Sequence, residues 1–203
     1  MRPGSTQKLS IDGPAGKLEI AINEPAQPPC GIALLAHPHP LYGGTLDNKV
    51  VQTLAKAFVT LGYRALRLNF RGAGASEGVF DEGRGETEDF LALAAYGRET
   101  FGEGKVAIGG FSFGGFIAAT AARTLSPQHL VLIAPAVGRF PVGKVADNTL
   151  VVHGEEDDVV PMRDVLDWAR AQFLPVVVFP GAGHFFHGAL ITLQLLVERH
   201  CRD

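Results

Sequence analysis

The stretch GGFSFGG, residues 109–115, sets one serine among glycines and phenylalanines, directly after the apolar run KVAIG. A hydroxyl placed where a buried strand bends sharply into a helix can act as a nucleophile. It projects from the end of the sheet, and the first N–H groups of the helix point at any negative charge forming beside it. The spacing Gly110-x-Ser112-x-Gly114 suits that bend, because side chains two residues to either side would collide in it. Near neutral pH a serine hydroxyl is a weak nucleophile, so it also needs a base and a carboxylate to orient the base. Two later loops hold candidates. HGEEDDVVP (153–161) carries Glu155, Glu156, Asp157 and Asp158, and GAGHFFHG (181–188) carries His184 and His187.

Such groups work together only if one sheet edge presents them. Residues 7–23 alternate around a Gly-Pro turn and predict an antiparallel hairpin. The run CGIALLAH (30–37) predicts a strand buried on both faces. Asp47 or Asn48 can cap a helix through Val50, Leu54, Phe58 and Leu61, ended by Gly62. The pattern then repeats: strand 64–70, helix 85–101, strand 105–111, a helix after Ser112, strands 129–135 and 149–154, helix 162–173, strand 175–181 and a last helix from about Gly188 to His200. Strands alternating with helices predict one mostly parallel sheet covered on both faces, with the hairpin as an antiparallel edge. Residues 136–148, AVGRFPVGKVADN, show no helical period and read as a loop that leaves no room for a lid domain. Residues 1–203 are therefore expected to form a single domain. Both candidate loops follow strands at the carboxyl ends, where open α/β sheets place their chemistry.

With these motifs in order, the chain resembles the α/β-hydrolase superfamily. HGEEDDVVP matches that family's His-Gly-x-x-Asp-x-x-Val-Pro run, GAGHFF its histidine loop, and the order Ser, Asp, His agrees with the family's. Residues 30–80 are further similar to a group of small, lidless bacterial hydrolases. The resemblance implies an α/β-hydrolase fold with Ser112 as nucleophile, His184 as general base and then acid, and Asp157 as the group that holds the imidazole. It also implies an oxyanion hole made by the backbone N–H of Phe113 and one from the loop after the first parallel strand. Pro38 and Pro40 carry no N–H, so His39, Leu41 or Tyr42 must donate, and His39 is assigned by its place after His37-Pro38. The expected reaction is hydrolysis of small or short-chain esters or thioesters through an acyl-enzyme. The alternatives are a peptidase or amidase of the same fold, or a small-ligand receptor. Serine at position 112 speaks against chemistry that needs a cysteine or aspartate nucleophile.

Other features have plainer readings. His37-x-His39 is read as a structured loop, and no metal site and no cofactor are expected. FRGAGASEG (70–78) has Glu77 where a dinucleotide fingerprint needs its third glycine. Phe111, Phe113, Phe116, Phe185 and Phe186 are assigned mainly to the core, with some lining an acyl pocket. His153 is expected to pack or hydrogen-bond under its loop, and His187 to start the final helix. A net charge of -3 without a basic cluster argues against nucleic acid as a partner. Cys30 and Cys201 form neither a CxxC pair nor a disulfide framework. With no signal-peptide core and no apolar run of spanning length, a cytoplasmic protein that binds a small acyl substrate is expected, without a membrane partner.

Overall fold

The computed structural model describes residues 6–202; residues 1–5, the start of the stretch read for a signal peptide, and residue 203 lie outside it. Among the described residues the strands are β1 (Thr6–Gly13), β2 (Gly16–Asn23), β3 (Gly31–Ala36), β4 (Tyr63–Leu68), β5 (Lys105–Phe111), β6 (His129–Ile133), β7 (Leu150–Gly154) and β8 (Val176–Phe179). The helices are α1 (Lys49–Thr60), α2 (Arg84–Phe101), α3 (Phe113–Leu125), α4 (Met162–Arg170) and α5 (Leu190–His200). The strands form one sheet in the order β1-β2-β4-β3-β5-β6-β7-β8, antiparallel where β2 meets β1 and β4 and parallel elsewhere. This is the lidless α/β-hydrolase architecture.

Strand periodicity assigns side chains to two cores. Ile32, Leu34 and Ala36 of β3 face a cluster completed by Phe90 of α2, Ile117 of α3 and Val165 of α4. Ala33 and Leu35, one residue out of phase, face the other cluster with Leu54 and Phe58 of α1 and Leu193 and Val197 of α5. Each buried Phe or Leu stabilises the fold by roughly 1.5–3 kcal/mol relative to exposure. The crossover from β6 to β7 contains no helix. Val137, Val142 and Val145 of that loop, all buried, fill the place a helix would take against the first core.

Helix starts follow the residue chemistry. Asn48 caps α1, its side-chain oxygen accepting from the N–H of Val50 at 2.9 Å and of Val51 at 3.4 Å. Glu86 in the first turn of α2 accepts from the N–H groups of Asp81 and Gly83 at 2.8 and 2.7 Å. Two expected helices are shorter than predicted. α4 stops at Arg170 rather than 173, because the N–H of Leu174 turns back to the Ala169 carbonyl and Phe173 takes φ 57°. α5 starts at Leu190 rather than Gly188, since Phe186 to Ala189 form a turn and Gly188 has φ 77°. His187 therefore sits exposed in that turn and does not open the helix. Among the described residues no helix is long and apolar enough to cross a membrane.

The strand order reverses direction between β3 and β5. The chain passes from β3 outward to β4, then returns across β3 to β5 and proceeds the other way. Loops leaving the carboxyl ends of β3 and β5 diverge there and open a crevice. Ala36 is level with Gly110, so the residues after β3 face the residue after β5, which is Ser112.

Candidate active site

Ser112 sits in the bend between β5 and α3 with φ 56° and ψ −119°. For a residue with a Cβ this backbone region costs on the order of 1–3 kcal/mol, and it persists only when the surroundings hold it. Three hydrogen bonds do so: the Ser112 N–H donates to Ile133 at 2.9 Å, and its carbonyl accepts from Gly115 at 2.9 Å and from Ala136 at 3.1 Å. The glycines on either side are required by contact. A Cβ at Gly110 would run into the Gly114 carbonyl, and one at Gly114 into the carbonyl of Ala36 in β3. The predicted spacing thus lets α3 begin directly against the sheet, and Phe113 begins it with an N–H that has no intrahelical acceptor.

His184 and Asp157 come together from the loops after β8 and β7. Nδ1 of His184 lies 2.7 Å from Oδ2 of Asp157, and both side chains are buried. The other oxygen of Asp157 accepts from the N–H groups of Val159 at 2.9 Å and Val160 at 2.8 Å. Burial pushes the Asp157 carboxyl up, but the bonds from His184, Val160 and Val159 outweigh it and hold the group below the usual carboxylate range. An ionised Asp157 accepts on both oxygens, which makes Nδ1 of His184 the donor and leaves Nε2 with its lone pair. Phe111 and Phe185 flank the ring, with centroids 4.8 and 5.1 Å away. Among the rival carboxylates, Glu155, Glu156 and Asp158 are exposed, and Glu155 accepts from the Gly181 N–H at 2.9 Å.

His153 lies beneath this pair, as the sequence predicts. Its Nε2 is 2.9 Å from the Val160 carbonyl and 3.7 Å from Oδ2 of Asp157, and burial lowers its pKa. His37, fully buried, uses both ring nitrogens on backbone: Nδ1 meets the Pro38 carbonyl at 2.6 Å, and Nε2 accepts the Phe70 N–H at 3.0 Å. Desolvation lowers its pKa to about 4, so the ring is neutral. Neither nitrogen is available to a metal. The loop it pins continues into a single 3-10 turn, Pro40–Tyr42, in which the Tyr42 N–H donates to the His39 carbonyl at 3.1 Å and the Leu41 N–H to Nδ1 of His39 at 3.3 Å. Of the three N–H groups considered for this loop, those of Leu41 and Tyr42 are thus engaged. The His39 ring packs against Tyr42, Phe80 and Phe113, and burial, then the charge of Arg139, lowers its pKa.

Ser112, Phe113, His39 and His184 line one cavity of about 310 Å³. Ligand pockets of about 300 Å³ and upward suit small molecules. Phe185 contributes a half-open wall, whereas Phe111 and Phe186 belong to the core behind it. Phe140 and Arg139, from the loop between β6 and β7, line the same cavity and were invisible to sequence reasoning, which read that loop as a connection alone.

The chain matches the family model described as X-Pro dipeptidyl-peptidase (S15 family) over residues 12–144. It is similar to a lidless α/β serine hydrolase from Xanthomonas campestris, with 35% identity, a TM-score of 0.92 and coverage of 98% of this chain and 94% of that one. It is also similar to an α/β serine hydrolase homologue from Coxiella burnetii, at 40% identity and TM-score 0.90, covering 96% and 97% of the two chains. An uncharacterized protein from Rickettsia prowazekii (strain Madrid E) is 33% identical, spanning 95% of this chain and 92% of its own length. With the motifs, the sheet order and these likenesses in agreement, the chain belongs to the S15 peptidase family within the α/β-hydrolase superfamily, in its lidless serine-hydrolase form.

Proposed function

We propose that this chain hydrolyses small or short-chain carboxylic esters or thioesters through an acyl-enzyme on Ser112, with His184 as general base and acid and Asp157 as the orienting carboxylate. The observation that carries this reading is the His184–Asp157 pair opening, with the strained Ser112, onto one small cavity. Nε2 of His184 takes the Ser112 proton as Oγ bonds to the substrate carbonyl carbon. The carbonyl electron pair moves to oxygen and meets the N–H groups of Phe113 and His39. The carbon–oxygen or carbon–sulfur bond to the leaving group then breaks, and His184 returns the proton to that group. Water repeats the sequence and frees the acid and Ser112. The engagement of the Leu41 and Tyr42 N–H groups favours His39 as the second oxyanion donor. No cofactor enters these steps.

The family description favours a second reading, cleavage of peptides with a free N-terminus. Such substrates carry an ammonium group, which calls for an opposing carboxylate. Among the described residues the cavity is lined by neither Asp nor Glu, which favours the ester reading. The test is labelling by a fluorophosphonate with intact-mass readout, comparing wild type with Ser112→Ala, followed by p-nitrophenyl esters of increasing chain length and an X-Pro chromogenic dipeptide. One label per wild-type chain, none on the variant, and turnover confined to short esters support the proposal. Turnover of the dipeptide instead would move the protein to the peptidase reading, and a folded wild type that takes no label would favour a receptor.

A further inference from the structure

The cavity carries one feature that ester hydrolysis in general does not need. Arg139 lines it, exposed, from the turn between Gly138 and Phe140. Several arginines elsewhere in the fold are held by carboxylates: Arg64 by Glu24, Arg71 by Asp89, Arg84 by Asp81. Arg139 makes no ion pair or hydrogen bond among the described residues. Phe140 fixes the turn that carries it, donating its N–H to the Ala136 carbonyl at 3.1 Å while its ring stacks on Phe116 with centroids 5.2 Å apart. Ala136 is itself bonded to the Ser112 carbonyl, so the turn is tied to the nucleophile's own backbone at 3.1 Å.

Charge in the cavity is one-sided. Neither Asp nor Glu lines it, and its other titratable groups are Tyr42 and the imidazoles of His39 and His184. A guanidinium presents a planar fork of donors that matches a carboxylate, and an arginine without a protein partner retains those donors for a ligand. We propose that Arg139 is a specificity residue that favours esters or thioesters bearing a carboxylate, pairing with that carboxylate while Ser112 faces the scissile carbonyl. Half-esters of short dicarboxylic acids are the simplest members of this class. The inference rests on the ester reading above and adds the charge of the substrate to it.

The experiment separates where the carboxylate sits and separates this inference from the reading beneath it. For the acyl half, p-nitrophenyl hemiglutarate is compared with p-nitrophenyl butyrate. For the leaving half, the butyrate ester of 4-hydroxybenzoate is compared with that of 4-hydroxybenzamide. Each ratio of kcat/KM is taken for wild type, Arg139→Gln and Arg139→Glu, so intrinsic ester reactivity cancels between variants. In at least one pair the wild-type ratio should exceed that of Arg139→Gln by roughly tenfold and that of Arg139→Glu by more, with the excess shrinking as salt rises. Ratios within about twofold of wild type in both variants for both pairs would overturn the proposal. Glutarate binding to Ser112→Ala, followed by calorimetry, needs no turnover. If none of the four esters is hydrolysed, the ester reading fails, yet glutarate binding lost in Ser112→Ala/Arg139→Gln would still uphold the anion site. Absence of glutarate binding in that case would overturn the site as well.

Discussion

The Phe70 N–H donates to Nε2 of His37 at 3.0 Å, which joins the loop after β4 to the loop after β3 beneath the cavity. That bond requires a neutral ring, and burial lowers the pKa of His37 from 6.5 to about 4. In the unfolded chain the ring takes up its proton near pH 6.5, whereas the folded protein resists protonation down to about pH 4. Stability is therefore fully present above pH 6.5 and falls as pH drops from there to about 4, by on the order of 3 kcal/mol from this residue. Urea unfolding followed between pH 7.5 and 4.5 should show that slope, and His37→Gln should flatten it. An unchanged slope in the variant would remove His37 as its source.

Asp157→Asn should keep the fold and lose the reaction. An amide can donate to Nδ1 of His184 and thereby hold the ring in the tautomer that leaves Nε2 protonated and without a lone pair to act as base. A fall in kcat of roughly 1,000- to 10,000-fold is expected, with a far-UV circular dichroism spectrum like that of wild type. Activity within about tenfold of wild type would assign the orienting role elsewhere.

Gly114→Ala tests the bend itself. Its Cβ would meet the Ala36 carbonyl at the end of β3, so α3 must back away from the sheet and Ser112 with it. We expect a loss of about 2–4 kcal/mol of stability together with slower fluorophosphonate labelling. Gly102→Ala, where a Cβ meets nothing within 4 Å although φ is 84°, serves as the comparison for backbone strain without collision.

These tests fall on positions that differ in how openly the sequence declared them. The bend at Ser112 and the glycines beside it could be read from local spacing, because the bend is a local object, whereas His184 was singled out by the resemblance of its loop. Asp157 was separable from Asp158 by motif spacing, and the physical reason lies in three dimensions. The Val159 and Val160 N–H groups claim one oxygen of Asp157 and aim the other at His184, whereas Asp158 faces water. The strand-helix order was legible from periodicity, but the ends of α4 and the start of α5 were not. Phe173, which prolongs the apolar pattern of α4, turns out to be 96% exposed in a left-handed turn. Arg139 and Phe140 carried no signal, since they reach the cavity only once β5 and β6 lie side by side.

Phe140→Ala should enlarge the cavity where the Phe140 ring lies 5.0 Å from Phe113 and 5.2 Å from Phe116. Each further methylene buried there contributes about 0.8 kcal/mol, or roughly fourfold in kcat/KM. The optimum of a p-nitrophenyl ester series should move to longer chains. An optimum that stays in place would show that the acyl group occupies another wall.

Asp89→Ala would leave the Arg71 guanidinium without the carboxylate that holds it. The two meet at 2.7 Å with Asp89 fully enclosed, and Asp89 also accepts the Arg71 N–H at 3.0 Å. Removing one member of a buried pair costs about 3–5 kcal/mol. Thermal melts of the variant should fall accordingly, and a melt within 2 °C of wild type would mean the pair contributes little.

The helix-free connection between β6 and β7 has a meaning for how such a molecule can change. It spans the cavity's outer wall, is anchored at its base by the Ala136 bond to Ser112, and buries Val142 and Val145 at its far end. Between those anchors the exposed turn Gly138–Arg139 is a splice point, where added chain would roof the cavity without disturbing the sheet. A single insertion there would convert an open cavity into a covered one, making this turn the place to graft new selectivity.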